Sequence, residues 1–460
     1  MDPAQQSEPV RLDGRILEGG GQLVRIAVAL SALTGRAVTI DHIRGNRIGK
    51  QGLGASHLAA IQALGELSGS RLVNARVGST SIEFYPPPHE QRQAHQTDPE
   101  INIRLPTPGS VFLVFQALYP YLLHSASADQ IRVGISGGTN VTWSPSYDYV
   151  SQVLIPNFAR VGLPPISVSL EKRGWSSGEG HLGRVIVAVD TLRGGTSGSP
   201  TPSHQMPLID LHQCQRGTIS RIDITVLGPD DHLEELVGES QHAKGTTNTN
   251  SRFSKHAAAA EQSDKPETVR GFMERYVHKS LRKRLKELPR DVFSNRSSEA
   301  TDLDAIPIET HTTEPTHNRS CLYVLIVAHT STGFRIGRDA LNGAAKGKPK
   351  PKAKTHQKRP RQDMASRAKG LVDQCVENFI KELYDPLLQA DPDSPETAGH
   401  RPCVDEYMRD QLVVFEALAR VSGDAGQQDV ESREDGRYWS LHTKTAQWVC
   451  REMLGESCIR

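Results

Sequence analysis

No apolar run in this 460-residue chain is long: Cys321 to Ala328 is typical of the longest, against the roughly 20 residues that a membrane-spanning helix requires. No transmembrane helix, and no membrane partner, is therefore expected. Residues 1–11 carry neither an apolar core nor an Arg- and Ser-rich amphipathic pattern. No secretory signal or transit peptide is read there, and a cytosolic or nuclear protein is expected. Cysteine is scarce, with six residues at 214, 321, 375, 403, 450 and 458 that form no C-x-x-C pair and no zinc spacing; they read as reduced and structural. Charge of one sign is also missing. Lys and Arg total 54 against 53 Asp and Glu, for a net charge of +1, which excludes a uniformly basic nucleic-acid coat and an acidic solvating chain. Any site for a polyanion must be local. The mean hydropathy of -0.46 is polar for a folded chain and points to ordered regions diluted by polar insertions.

From Val10 to about Asp190 short β-branched runs alternate with helical stripes and glycine-rich turns, the texture of an α/β or α+β fold. Leu23, Ile26, Ala27, Leu30 and Leu33 share a helical face, and Leu58, Ile61, Leu64 and Leu67 share another. Strands are expected at Val38 to Ile43, Arg71 to Val77 and Ser81 to Tyr85, giving a β-α-β-α-β-β unit. A like succession follows Ile101, with helices at Val111 to His124 and Tyr147 to Val161 and strands at Gln130 to Ile135 and Ile166 to Glu171, so a structural duplication is expected. Between Thr191 and Gly399 only Gly217 to Leu227 and Cys321 to His329 read as strands. Gly238 to Lys265 has too few large apolar residues to offset its ordering entropy and is read as disordered. Lys346 to Lys369 holds ten Lys and Arg against one Asp, with three prolines that interrupt any helix. It reads as a flexible cationic loop, serving RNA attraction or nuclear import, or simply a solvated insertion. Order returns with a helix at Val404 to Ala419, a strand at Trp439 to Leu441, and a last helix whose buried stripe is Ala446, Val449, Cys450, Met453 and Leu454.

Glu18 to Arg25, E-G-G-G-Q-L-V-R, sets three glycines before a helix and an arginine one turn inside it. Backbone amides at such a helix start can face a phosphate, although a glycine run before a helix is also an ordinary tight connection. Arg44 and Arg47 add two cations suited to bidentate phosphate contacts, or to plain solvated surface. His442 falls at the expected change from strand to helix, with Thr443 as candidate N-cap. The positive end of a helix disfavours the imidazolium and keeps a nitrogen lone pair for nucleophilic attack or metal ligation. Gln116 on its helix and Pro145 after the G-G-T-N turn read, by themselves, as a solvent-facing amide and a turn proline.

Together these segments, in this order, resemble the RNA 3′-terminal phosphate cyclase family. The matching stretches are L-D-G-x-x-L-E-G-G-G-Q-x-x-R at Leu12 to Arg25, I-R-G-N-R at Ile43 to Arg47, G-S-x-x-x-x-x-Q ending at Gln116, and G-G-T-N at Gly137 to Asn140. They continue with H-T-S-T-G at His329 to Gly333, V-D-E-Y-M-R-D-Q-L at Val404 to Leu412, and L-H-T-K-T-A at Leu441 to Ala446. The resemblance covers roughly residues 10–230, 320–345 and 365–454. It implies a large catalytic domain of repeated β-α-β-α-β-β units, here 10–190 and 400–460 after a disordered 1–9, interrupted by a smaller α/β insert at 191–399 with polar segments at about 238–265 and 343–366. It implies an ATP-dependent ligase that closes an RNA 3′-phosphate into a 2′,3′-cyclic phosphodiester, releasing AMP and pyrophosphate, with His442 as the nucleophile that carries AMP. Gln116, Pro145, Tyr407, Asp410 and Gln411 would line the nucleotide pocket; Arg25, Arg44 and Arg47 would meet phosphates and RNA; Glu18 would hold Mg²⁺ or Mn²⁺ or orient the histidine. RNA 3′-phosphate ends are the implied partner, and the nucleus (nucleoplasm), or nucleus and cytoplasm, the implied location.

Three departures from the family pattern stand out. Ser56 replaces the usual Gln before His57 and Leu58, the glycine-rich turn after Arg173 and Gly174 becomes Ser177 to His181, and the sequence reaches Arg460 soon after its last helical stripe, where relatives often continue into further strands. A rival reading is a non-adenylating cyclase-like ribosome-biogenesis factor that binds pre-ribosomal RNA; such relatives lack the nucleophilic histidine.

Overall fold

A computed structural model describes residues 8–47, 49, 51–88, 91, 98–125, 127–176, 181–193, 206–211, 213–233, 266–294, 306–342, 363–386, 401–422 and 438–458. The readings made for 1–7, 177–180, 238–265 and 343–362 lie outside them.

The first unit runs β1 (Val10–Asp13), α1 (Gly21–Thr34), β2 (Val38–Asp41), α2 (Ala55–Ser68), β3 (Arg71–Val73) and β4 (Ile82–Tyr85). Its sheet has the order β1-β2-β4-β3, with β1 parallel to β2 and the remaining pairs antiparallel. The second unit repeats the plan: β5 (Glu100–Arg104), α3 (Val111–Leu123), β6 (Gln130–Gly137), a composite α4, β7 (Ile166–Lys172) and β8 (Gly183–Asp190), ordered β5-β6-β8-β7. Helix α4 joins Tyr147–Tyr149 to Ile155–Arg160 through a π-turn at Val150–Leu154. Pro156 has no N–H to give to the preceding turn, and the Ile155 N–H reaches back five residues to the Val150 carbonyl. The duplication expected from the sequence is thus present as two sheets of one strand order, and the fold is α+β.

A third sheet has the order β10-β9-β11-β12, from β9 (Ile219–Gly228), β10 (Ile308–Pro315), β11 (Tyr323–Thr330) and β12 (Arg335–Leu341); α5 (Val269–Leu285) lies between β9 and β10, and α6 (Met364–Leu383) follows β12. Strand β11 is buried on both faces, which explains its unbroken apolar sequence. Tyr323, Leu325 and Val327 join the core of the two repeated units. Leu322, Val324, Ile326 and Ala328 face the second core under α5 and α6, as the two-residue period of a strand requires.

The polar character of this middle region conceals two helices and two strands. Helix α5 buries Val269, Met273, Val277, Leu281 and Leu285, a one-per-turn stripe within a strongly charged sequence. Helix α6 begins at Met364 because Asp363 caps it, accepting from the Ser366 N–H at 2.5 Å. Residues 363–366, expected to be part of a disordered segment, are therefore an ordered helix start, and Arg367 and Lys369 lie on that helix. Two more α-helices follow among the described residues: α7 (Glu406–Ser422) and α8 (Leu441–Leu454). Both pack with the repeated units, α8 against α1 and α7 against α8.

Candidate functional site

The site is assembled where α1, α3, α7 and α8 converge. At the start of α1 the chain must pass extremely close to other backbone. Gly19 has φ of +60°, and a Cβ there would stand 1.9 Å from the Gly14 carbonyl oxygen. A Cβ on Gly21 would stand 2.2 Å from His57 Nε2. Only glycine admits this packing, so the E-G-G-G run is a steric requirement that lets His57 lie against the first turn of α1.

The last helix starts differently from the expectation. Residues 439–441 are not a strand, and the N-cap is Ser440, not Thr443: the Ser440 Oγ accepts from the Thr443 N–H at 2.9 Å. The buried Asp410 carboxylate, delivered by α7, explains this choice. Its Oδ1 accepts from Ser440 Oγ at 2.7 Å and from Thr443 Oγ1 at 2.5 Å, tying both hydroxyls of the turn to one acceptor. His442 consequently sits inside the first turn of α8, in the field of its positive end.

His442 is half-exposed, and its Nδ1 donates to the Gln22 side-chain oxygen at 2.8 Å. An amide oxygen only accepts, so Nδ1 carries a proton, and of the two neutral tautomers this contact selects the one whose lone pair is on Nε2. Gln22, buried at the second position of α1, is thus an orienting residue that reading by motif alone did not single out, although it stands within E-G-G-G-Q. Glu18 Oε2 lies 4.0 Å from the same Nδ1. Its carboxylate also accepts the Gly20 N–H at 2.8 Å and pairs with Arg47 at 2.9 Å, while the Glu18 N–H donates to Thr445 Oγ1 at 3.2 Å. The loop before α1 is thereby fastened to α8.

Three guanidiniums meet here. Burial pulls Arg25 down to about 10 despite the nearby Glu18 charge, and Arg44 is lowered by burial and then by Arg47. Arg44 also occupies a left-handed backbone conformation, φ +58°, fixed by its N–H donating to the Gly19 carbonyl at 2.9 Å; its Nε is buried without a hydrogen-bond partner. Burial first, then Arg25, Arg44 and Arg47 in turn, drive His57 down to about 3. It is a neutral ring among cations, with Nδ1 accepting the Gly54 N–H at 3.2 Å at the start of α2. Glu18 is the carboxylate named among these groups, so the cluster is built for an anion.

Beside it opens a cleft with about 610 Å³ of empty space, solvent mouth included, to which Arg25, Gln116, Pro145, Asp410 and Gln411 all contribute. Its walls include Phe112, Phe115, Tyr119 and Phe415, suited to a flat apolar ring. Gln116 donates through Nε2 to Gln411 Oε1, leaving Gln116 Oε1 buried without a partner. Tyr407 does not line this cleft. Its ring lies under Arg338, 4.3 Å from ring centre to guanidinium, and meets Tyr149 edge-on at 6.1 Å. Ser56 packs beside the start of α3, its Cβ 3.0 Å from where a Cβ of Gly109 would be. Among the described residues no three His, Cys, Asp or Glu side chains gather as a metal site. Glu18 is the carboxylate placed beside His442, a donor set that fits Mg²⁺ only with oxygens supplied by a bound phosphate and water. No helix of the described residues is long and apolar enough to cross a membrane.

A mixed α+β fold of repeated units thus sets a half-exposed histidine at a helix start, joined through Glu18 to an arginine cluster suited to an anion. A family model described as RNA 3′-terminal phosphate cyclase matches residues 16–458, and the chain belongs to that family. Proteins named RNA 3′-terminal phosphate cyclase are similar to it: that of Desulfurococcus amylolyticus is 38% identical over 178 residues, 39% of this chain and 47% of the relative. That of Thermococcus gammatolerans is 41% identical over 167 residues, 36% and 45%, and that of Methanococcoides burtonii 34% over 213 residues, 46% and 56%. The chain spans about half the length of the curated relatives it matches.

Proposed function

We propose that this chain uses ATP to convert the 3′-phosphate of an RNA end into a 2′,3′-cyclic phosphodiester. The observation that carries the reading is the His442 Nδ1–Gln22 hydrogen bond of 2.8 Å, which selects the tautomer with Nε2 as the nucleophilic nitrogen, on a ring joined to the arginine cluster through Glu18. Nε2 attacks the α-phosphorus of ATP, a P–N bond forms, the bond to pyrophosphate breaks, and the resulting histidine–AMP is held at the N-terminus of α8. An oxygen of the RNA 3′-phosphate then displaces the histidine from AMP. Finally the adjacent 2′-hydroxyl, losing its proton, attacks the activated phosphorus and AMP leaves, an intramolecular closure favoured by proximity. Arg25, Arg44 and Arg47 stabilise charge on the transferring groups. His57, neutral at physiological pH, completes the contact without adding a fourth cation. The aromatic walls and the Gln116–Gln411 pair take the adenine. A divalent cation, Mg²⁺ or Mn²⁺, would be held by Glu18 and would neutralise phosphate charge. The nucleophile also separates this reading from that of a non-catalytic ribosome-assembly factor.

Incubation with [α-³²P]ATP and magnesium should label the protein, and His442→Ala should abolish the label. A 3′-phosphorylated oligonucleotide should become resistant to phosphatase in the presence of the wild-type chain and ATP. Persistent labelling of His442→Ala would refute the assigned nucleophile, and wild-type protein that neither labels nor cyclises would refute the reading as a whole.

A further inference from the structure

Eight large apolar side chains are exposed among the described residues, and five of them adjoin a site residue in the chain. Ile16 and Leu17 precede Glu18, Trp143 stands two residues before Pro145, Tyr407 three before Asp410, and Leu441 immediately before His442. Apolar side chains scattered singly on a surface need no explanation, and Tyr407 is accounted for by Arg338 and Tyr149; among the eight, Trp143 alone stands within two residues of one that lines the cleft, Pro145. Trp143 is 72% exposed and in left-handed backbone with φ of +63°. A bulky residue rarely adopts that conformation and keeps it only where its surroundings over-determine it. They do so here. Ser144 Oγ donates to the Val141 carbonyl at 2.9 Å, the Tyr147 N–H to the Thr139 carbonyl at 3.0 Å, and Ser146 Oγ both caps the Tyr149 N–H at 3.0 Å and bonds Tyr323 Oη at 2.6 Å. The turn is anchored to a buried strand while its indole is offered to water. Two residues of chain place the Trp143 Cα within about 7 Å of that of Pro145, a cleft residue.

We propose that Trp143 is a stacking platform for a nucleobase of the RNA strand whose 3′-phosphate enters the site, a specificity for single-stranded ends built beside the catalytic cleft. The proposal rests on the RNA-cyclase reading above. The cleft's own aromatic walls accommodate one base, that of the nucleotide. The arginine cluster, with Glu18 as its carboxylate, draws the terminal phosphate, and the base belonging to that same strand requires a second apolar surface outside. An exposed, rigidly presented indole is the kind of surface on which any base stacks, whatever its sequence.

The test compares wild-type, Trp143→Ala and Trp143→Phe proteins. Binding of a fluorescein-labelled 3′-phosphorylated oligoribonucleotide, without ATP, should weaken about tenfold in Trp143→Ala and recover in Trp143→Phe. Replacing the nucleotides next to the 3′ end with abasic ones should weaken binding to wild type by a similar factor and have little further effect on Trp143→Ala. The rate of labelling by [α-³²P]ATP should be the same in all three proteins. Equal RNA affinities, or an abasic effect that persists undiminished in Trp143→Ala, would overturn the proposal; a labelling rate reduced by Trp143→Ala would overturn it in favour of stacking on the base of ATP. If wild-type protein fails to label at all, the adenylyl-transfer reading falls, while the ATP-free binding comparison still decides the role of Trp143.

Discussion

Asp410 makes a quantitative prediction because its two functions oppose each other. Burial pushes its carboxyl from the usual 3.8 up to about 6, more than the hydrogen bonds from Thr443 and Ser440 and the nearby His442 pull it down, with Glu406 adding to the rise. The folded protein therefore binds the Asp410 proton more tightly than the unfolded chain does, and between pH 3.8 and 6 stability falls as pH rises. At about 1.4 kcal/mol for each pKa unit, the ionised carboxylate costs about 3 kcal/mol above pH 6, as an upper figure. Asp410→Asn keeps an oxygen for the Ser440 and Thr443 hydroxyls while removing the buried charge. Thermal unfolding followed by circular dichroism should thus show Asp410→Asn melting as high as wild type or a few degrees higher at about pH 8, the difference shrinking toward about pH 4. Asp410→Ala, which strands both hydroxyls, should lose about 1–3 kcal/mol at either pH. In the same proteins Asp410→Asn should slow self-labelling by about a hundredfold, since the negative charge supports the cation that develops on His442. A melting point for Asp410→Asn below wild type in the alkaline buffer but equal to it in the acidic one would mean that the carboxylate stabilises the fold, and the reasoning would be wrong.

His57 should remain uncharged throughout about pH 5–8, so its ring resonances should not titrate in that range. Because its pKa is depressed to about 3, stability should decline as pH falls from about 6.5 toward 3, and a ring titrating near its ordinary value would contradict the arginine-lined environment. Gly21→Ala should cost at least about a hundredfold in self-labelling, since the added carbon would stand 2.2 Å from His57 Nε2; unchanged labelling would show that the contact is dispensable. Tyr149→Phe should lose about 1–3 kcal/mol in a denaturant titration, because it removes the donor to the fully buried Asp405 at 2.6 Å. Deleting the basic stretch within Lys346 to Lys369 should weaken RNA association at low salt and spare self-labelling; loss of both would contradict an auxiliary role.

The repeated β-α-β-α-β-β plan is legible in the sequence because both copies keep their apolar periods, and the cleft contributions of Arg25, Gln116, Pro145, Asp410 and Gln411 are legible as motif positions. What periodicity alone misses has physical causes. The strand expected at 439–441 fails because Ser440 answers to a partner 30 residues away, Asp410, whose carboxylate fixes the cap; no local pattern carries that information. Helix α5 escapes notice because its charged residues mask a one-per-turn stripe of Val269, Met273, Val277, Leu281 and Leu285, a signal that is present. Gln22 and His57 stand inside or beside the motifs, but their roles arise only when α1, α2 and α8 meet.

The duplication also explains why the cleft has two chemically distinct ends. Helices α1 and α3 hold equivalent places in the two units, each leaving the first strand of its sheet, and they pack against each other. In the first copy the glycine run removes every side chain from the helix start, so His57 and Arg25 crowd against it and the amide of Gln22 reaches His442. In the second copy Ser110 caps the helix, accepting from the Leu113 N–H at 3.2 Å, which closes the same position to an incoming group. There Phe112, Phe115 and Tyr119 line the cleft instead. One copy has thus become the polar end, fit for phosphates, and the other the apolar end, fit for a base. If so, exchanging the caps should reveal the division. Ser110→Gly should change stability by only about a few tenths of a kcal/mol and leave labelling intact. Gly20→Ser adds a Cβ that would stand 2.1 Å from Glu18 Oε1, so it should displace the carboxylate from His442 and slow labelling strongly. Equal effects of the two changes on labelling would show that the copies have not diverged in this way.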